Sequence, residues 1–185
     1  MNKQIFIING SGGVGKDSFI DMVNFAESRI LNKHIKIGNY SSVSKVKEIA
    51  KIIGWTGAKT ERDRKFLSDL KLLTTEYNNM PLNDMKEYAD YFLNVPKDDA
   101  RILFLHIREP EEIAKAVNEF KEYNVKTILV KRDSVKHITS NMADENVYNY
   151  NYDIVINNSG TIEDLKEKAK CFISDFLKGA FKNEY

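Results

Sequence analysis

The chain carries a single cysteine, Cys171, in 185 residues. One cysteine excludes an intrachain disulfide and any multi-cysteine metal site. Because it follows Ala169 in a helical stripe of apolar residues, the expectation is a small buried hydrophobe. Neither charge sign is in excess, since 28 Lys and Arg face 27 Asp and Glu, mixed along the length. The basic footprint that nucleic-acid binding demands is therefore missing, and nucleic acid is not expected as a partner. Nowhere do eighteen apolar residues follow one another, so no membrane partner is expected either. Met1-Asn2-Lys3 runs straight into an apolar stretch without the n- and h-regions of a secretory leader, which leads to the expectation of a soluble, cytoplasmic protein. Internal repeats and low-complexity segments are absent, and no spacing of histidines and acids builds a protein-only metal site.

What is present is enough for one core. At 42% hydrophobic residues, a chain of this length is expected to form one α/β domain over 1–185. Its first apolar run, Ile5-Phe6-Ile7-Ile8, opens directly into Asn9-Gly10-Ser11-Gly12-Gly13-Val14-Gly15-Lys16-Asp17-Ser18. Gly10, Gly15 and Lys16 stand at the Walker A spacing. There a glycine-rich turn points backbone N–H groups at a polyphosphate and the lysine reaches its outer phosphates. Phe19, Val23, Ala26 and Ile30 recur at helical spacing behind the turn, so strand, loop and helix come in the order the motif requires. Residues 10–18 are thus the expected nucleotide-binding set. Asp17 occupies the place where Ser or Thr would put a hydroxyl on magnesium, and Ser18 lies about 100° further round the helix. Either Asp17 or Ser18 is the candidate metal contact, with Mg2+ arriving on the nucleotide.

Four further strands are expected at Ile35–Gly38, Arg101–Arg108, Val125–Val130 and Asp153–Asn157, with helices between them. Three helices fall between the second and third strands, so 40–96 is expected to be an acceptor-binding excursion. The polar stretch 131–150 is expected to be a lid. In the excursion, Arg62 and Asp69 share a helical face with Phe66 and Leu73 in a stripe completed by Leu67, Leu70 and Tyr77. An aspartate in an apolar stripe needs a partner. Two readings are open: an internal pairing that fixes the helix, or Arg62, with Arg64, on an acceptor phosphate whose geometry suits the guanidinium fork.

At the end of the third strand, His106 and Arg108 face the side where an open parallel sheet binds its ligands. Arg132, just past the fourth strand, is the best placed basic residue of the lid, ahead of Lys131, Lys136 and His137. Pro110 with Glu111 and Glu112 marks a helix start, and Thr161 with Asp164 a capping box. The segment from Gly179 onward is expected to fray.

The Gly-Lys-Asp-Ser form of the loop resembles that of phage-type deoxynucleoside monophosphate kinases and, more distantly, animal-type phosphomevalonate kinases. The stretch from Gly57 to Lys71 is similar to the acceptor-side helix of the phage-type enzymes, and Asp153–Thr161 to their last strand and turn. The resemblance implies a P-loop NTPase fold with a doubly wound five-stranded parallel sheet of order 2-3-1-4-5. It also implies ATP as donor, Lys16 on its phosphates, Asn158 near the adenine, and Arg62, Arg108 and Arg132 around the transferring group. Relatives carry Asp-x-Arg where this chain has His106-Ile107-Arg108, so a carboxylate is lost there, and Asp17 is the candidate to supply it.

The expected activity is phosphoryl transfer from ATP to a nucleoside or deoxynucleoside monophosphate by a monomer or homodimer. A kinase of another small phosphorylated metabolite needs the same donor half and similar arginines. A nucleotide-binding regulatory ATPase is the competing class. Gly12–Lys16 overlaps the deviant loop of partitioning ATPases, but Ser11 stands where their first lysine is expected. No Asn-Lys-x-Asp guanine motif follows the fourth strand.

Overall fold

The computed structural model describes residues 3–30, 35–96, 99–135 and 146–185. Strand β1 (Lys3–Asn9) is buried from Gln4 to Asn9. It lies between β3 (Ala100–His106) and β4 (Lys126–Lys131), with Ile8 opposite His106 and Asn9 opposite Leu129. Strands β2 (Ile35–Ser41) and β5 (Ile154–Asn157) complete a five-stranded sheet of order β2-β3-β1-β4-β5. The β1–β3, β1–β4 and β4–β5 pairs are parallel. This is the doubly wound order expected from the resemblance. Strand β2 runs past Gly38 to Ser41, whereas β3 stops at His106 and leaves Arg108 beyond the strand.

Helices α1 (Lys16–Ile30), α2 (Ser44–Ile52), α3 (Glu61–Asn78), α4 (Met80–Leu93), α5 (Pro110–Glu119) and α6 (Ile162–Lys178) connect and follow the strands. The chain divides into two compact units, Met1–Asn39 with Pro96–Tyr185, and Tyr40–Val95.

In the first unit, α1 packs on α6, and the shared core is aromatic. Phe6, Phe19, Phe104 and Phe172 are all fully buried. The Phe172 ring lies 4.9 Å from Phe6, 5.4 Å from Phe19 and 6.1 Å from Phe104, in tilted and edge-on arrangements that suit the ring quadrupoles. Helix α6 starts where its sequence says it must. The Asp164 N–H donates to Thr161 Oγ1 (3.2 Å), while the Thr161 N–H (2.7 Å) and hydroxyl (2.8 Å) donate to Asp164 Oδ2, two bonds to the carboxylate that lower the Asp164 pKa. Leu165, Ala169, Phe172, Ile173 and Phe176 form its buried stripe.

Two expectations fail in this unit. Cys171 is exposed rather than buried, because one helical step from Phe172 turns it about 100° out of the stripe. The last residues do not fray. Val155 N–H donates to Asn183 O (2.9 Å), Tyr185 N–H to Val155 O (2.9 Å) and Asn157 N–H to Tyr185 O (3.0 Å), so the segment pairs in parallel with β5. Phe181 packs 5.3 Å from Phe6, and the Tyr185 hydroxyl donates to Asp175 Oδ2 (2.6 Å).

The second unit is a layer of three mutually packed helices, α2, α3 and α4. Val46 and Ala50 of α2 and Met85, Ala89 and Leu93 of α4 are buried. Thr60 and Asp63 cap α3 reciprocally, and Asn79 in the left-handed region ends α3 and starts α4. The stripe expected on α3 is only partly buried. Leu73 is 63% exposed and Tyr77 85%, whereas Phe66, Leu67 and Leu70 are half-buried. Tyr40 stacks on Tyr88 with ring centroids 4.1 Å apart, and its hydroxyl donates to Asp84 (2.9 Å). Among the described residues, no helix is long and apolar enough to cross a membrane.

These two environments make opposite predictions for neighbouring residues of α6. Phe172→Ala empties the centre of the aromatic cluster and should cost about 3–5 kcal/mol, read by urea unfolding. Cys171→Ser changes an exposed position and should move stability by no more than about 0.5 kcal/mol in the same assay.

Candidate active site

The loop between β1 and α1 is shaped by two glycines that admit no side chain. Gly10 has φ +147° and a Cβ there would strike the Val130 carbonyl; Gly15 has φ +94° and its Cβ would strike the Asn158 amide. Val14, between them, is 1% exposed and plugs the loop into the core. The Phe19 N–H donates to Gly15 O (2.9 Å), which closes the first turn of α1. Lys16 is the first residue of that helix, and its Nζ donates back across the loop to Gly10 O and to Ser11 O (3.1 Å). Ser11 itself is 1% exposed. The result is a glycine-lined turn at a helix N-terminus with an ammonium group folded over it, a geometry of the kind that suits an anion.

The loop is braced from both sides by asparagines. Asn158, 8% exposed at the end of β5, donates through Nδ2 to Val14 O (2.8 Å), and its N–H donates to Lys131 O (2.8 Å). The resemblance put Asn158 near an adenine; in the structure its amide holds the loop. Asn9, fully buried at the end of β1, accepts from the Gly10 N–H (2.8 Å) and donates to Arg108 O (2.9 Å) and to the Tyr152 hydroxyl (2.7 Å). Sequence reasoning missed Asn9 and Tyr152. The signal available was a polar residue ending an otherwise apolar strand just before the first loop glycine.

His106 and Arg108 follow at the carboxyl end of β3, next to β1. His106 is largely buried and its Nε2 lies 3.8 Å from Asp17 Oδ1, an ion-pair distance longer than a hydrogen bond. The structure thus brings the unexpected histidine and the displaced carboxylate together. Asp17 is 84% exposed in the first turn of α1, where a negative charge is favoured by the helix dipole, and Ser18 is exposed beside it. Among the described residues no three His, Cys, Asp or Glu side chains cluster as a metal site. One exposed carboxylate and one hydroxyl beside the loop fit a hydrated magnesium carried by phosphates, which asks for few protein ligands.

Arg108 is half-buried, and Arg132, one residue past β4, is exposed with its carbonyl accepting from the Val135 N–H (3.1 Å). Half of the expected lid, 136–145 with Lys136 and His137, lies outside the described residues. In the second unit, Arg62 and Arg64 are exposed on the first turn of α3, and Arg64 Nε donates to Lys59 O (3.3 Å). Asp69 corrects its expectation. It is 61% exposed and paired with Lys65 at 2.9 Å, an ordinary i,i+4 pair on a solvated face, so no buried carboxylate there calls for Arg62.

No family model and no curated protein matches the chain. Solved structures do resemble it. The Deinococcus radiodurans tunicamycin resistance protein aligns over 93% of this chain and 96% of its own, with a TM-score of 0.51 and 10% identity. A sugar kinase from Janibacter sp. HTCC2649, in unliganded form, aligns over 98% and 100%, with a TM-score of 0.49 and 12% identity. The likeness is one of fold. Neither neighbour is a phage-type deoxynucleoside monophosphate kinase or a phosphomevalonate kinase, and that kinship, drawn from the loop and the α3 region, is overturned.

The bracing of the loop is testable on its own. Asn158→Ala removes the donor to Val14 O and should weaken binding of a fluorescent ATP analogue by about five- to tenfold, measured by titration, with the fold retained by circular dichroism.

Proposed function

We propose that the chain is a phosphotransferase that moves the terminal phosphoryl group of ATP to a small phosphorylated metabolite. The observation that carries this reading is the Gly10–Lys16 loop, with Lys16 Nζ folded over the carbonyls of Gly10 and Ser11 at the start of α1. It lies where β1 and β3 send their connections in opposite directions, the crevice in which open α/β sheets take their ligands.

In this reading the loop amides receive the donor phosphates, and Lys16 exchanges its two carbonyl partners for phosphate oxygens as negative charge moves outward. Asp17 and Ser18 are the residues that would hold magnesium, which when bound neutralises charge on the phosphates. His106 keeps the Asp17 carboxylate company at the rim. Arg108 stabilises the group in flight, with Arg132 as its partner from the end of β4. Arg62 and Arg64 of the second unit carry the same planar fork, which suits a phosphate. A nucleoside monophosphate is one acceptor of this chemical class; with the phage-type kinship gone, nothing in the chain singles it out from other phosphorylated metabolites.

The deciding experiment is ADP production from ATP and magnesium over a panel of phosphorylated metabolites, nucleoside monophosphates and free sugars. Turnover that appears only with an acceptor is expected. Slow hydrolysis indifferent to every acceptor would favour a regulatory ATPase instead. On the active acceptor, Lys16→Ala should lower kcat by about a hundredfold or more. Arg108→Lys, which keeps the charge and loses the fork, should change acceptor kinetics by about tenfold while ATP affinity stays within about twofold; equal loss on both substrates would remove Arg108 from the acceptor side.

A further inference from the structure

Asn9 and Tyr152 stand outside every motif in the chain, yet their side chains meet at the switch point of the sheet. We propose that they form a hydrogen-bonded relay that fixes the first residue of the phosphate loop against the carbonyl of Arg108, which makes both of them positioning residues for phosphoryl transfer. The inference rests on the phosphotransferase reading above.

Every polar group of the Asn9 amide is used. Its Oδ1 accepts from Gly10 N–H (2.8 Å), and its Nδ2 donates to Arg108 O (2.9 Å) and to Tyr152 Oη (2.7 Å). The Tyr152 hydroxyl in turn donates a hydrogen bond to Val147 O (2.8 Å). Asn9 is fully buried, so no water can replace a lost partner at its end of the relay. Gly10 is held by both of its backbone groups, N–H to Asn9 and C=O to Lys16 Nζ. The orientation of that one residue therefore sets where the lysine rests and how the loop begins. The second Nδ2 bond reaches the backbone of Arg108, so the same amide spaces the loop from the arginine that serves the transferring group.

Tyr152 is a firm anchor for the far end. The next residue, Asp153, accepts from both Thr127 N–H (2.7 Å) and Thr127 Oγ1 (2.8 Å) and returns its own N–H to Thr127 Oγ1 (3.0 Å), which locks the entry to β5. Burial pushes the Tyr152 phenol up to about 12, against the lowering effect of the Asn9 bond, so the hydroxyl keeps the proton it donates to Val147 at neutral pH.

The test is Tyr152→Phe, which deletes one oxygen and keeps the ring. Amide hydrogen exchange at Gly10 is read in nucleotide-free protein, then the Kd of a fluorescent ATP analogue, then kcat and acceptor KM. Phe120→Leu, at a fully buried residue that ends α5 outside the aromatic cluster around Phe19, serves as a control that destabilises the core away from the relay. Expected are exchange at Gly10 faster by about tenfold and an ATP-analogue Kd weakened by a similar factor in Tyr152→Phe, with Phe120→Leu leaving the Kd unchanged despite a lower Tm. Wild-type exchange and Kd in Tyr152→Phe would overturn the relay, and so would a Kd loss in both variants that merely tracks Tm. A wild-type protein that binds no ATP analogue would overturn the phosphotransferase reading instead, and exchange at Gly10 would still decide the relay.

Discussion

A central strand of a parallel sheet must stop somewhere, and where it stops its backbone groups are buried and still need partners. In this protein that demand falls on the junction of β1 with the loop. The loop cannot solve it alone, because its glycines contribute no side chains. Asn9 solves it from one side and Asn158 from the other, each reaching backbone that is remote in sequence. The loop's shape is therefore a property of three strand ends together rather than of the motif. A glycine-rich segment that would be floppy in isolation becomes a surface with fixed donors, which in the proposed phosphoryl transfer is the condition for electrostatic stabilisation to cost no reorganisation.

The aromatic core works in the same direction. Phe6 and Phe104 come from adjacent strands, Phe19 from α1 and Phe172 from α6, so the helix that begins at the glycine loop is tied through its first turn to the sheet and to the last helix. Rotation of α1 would break the Phe19 contacts as well as the Val14 plug. Position of the lysine and integrity of the core are thus coupled through one short helical turn.

Much of the fold was legible because it depends on local pattern. Apolar runs marked the strands, Pro110 and the Thr161–Asp164 pair marked helix starts, and Gly10, Gly15 and Lys16 marked the loop. What failed depended on distance or on angle. Cys171 and Asp69 each sit within an apolar stretch of helix, but burial turns on which side of a stripe a residue falls, and one step of about 100° decides it. The bonds from Asn9 to Tyr152 and from Asn158 to Val14 close over 143 and 144 residues. No periodicity announces such a pair. The parallel pairing of Asn183–Tyr185 with β5 escaped notice for a related reason: a short polar segment after a helix reads as an end, and only the sheet edge it meets gives it a conformation.

That edge carries a consequence for how the molecule behaves among copies of itself. Strand β5 is the last full strand of the sheet, and an uncovered edge offers N–H and C=O groups to any extended peptide that arrives. Here Val155 and Asn157 already give their N–H groups, and Val155 its carbonyl, to the chain's own last residues, with Tyr185 latched to Asp175 outside them. The position where a foreign strand would add, and from which edge-to-edge aggregation would grow, is filled from within.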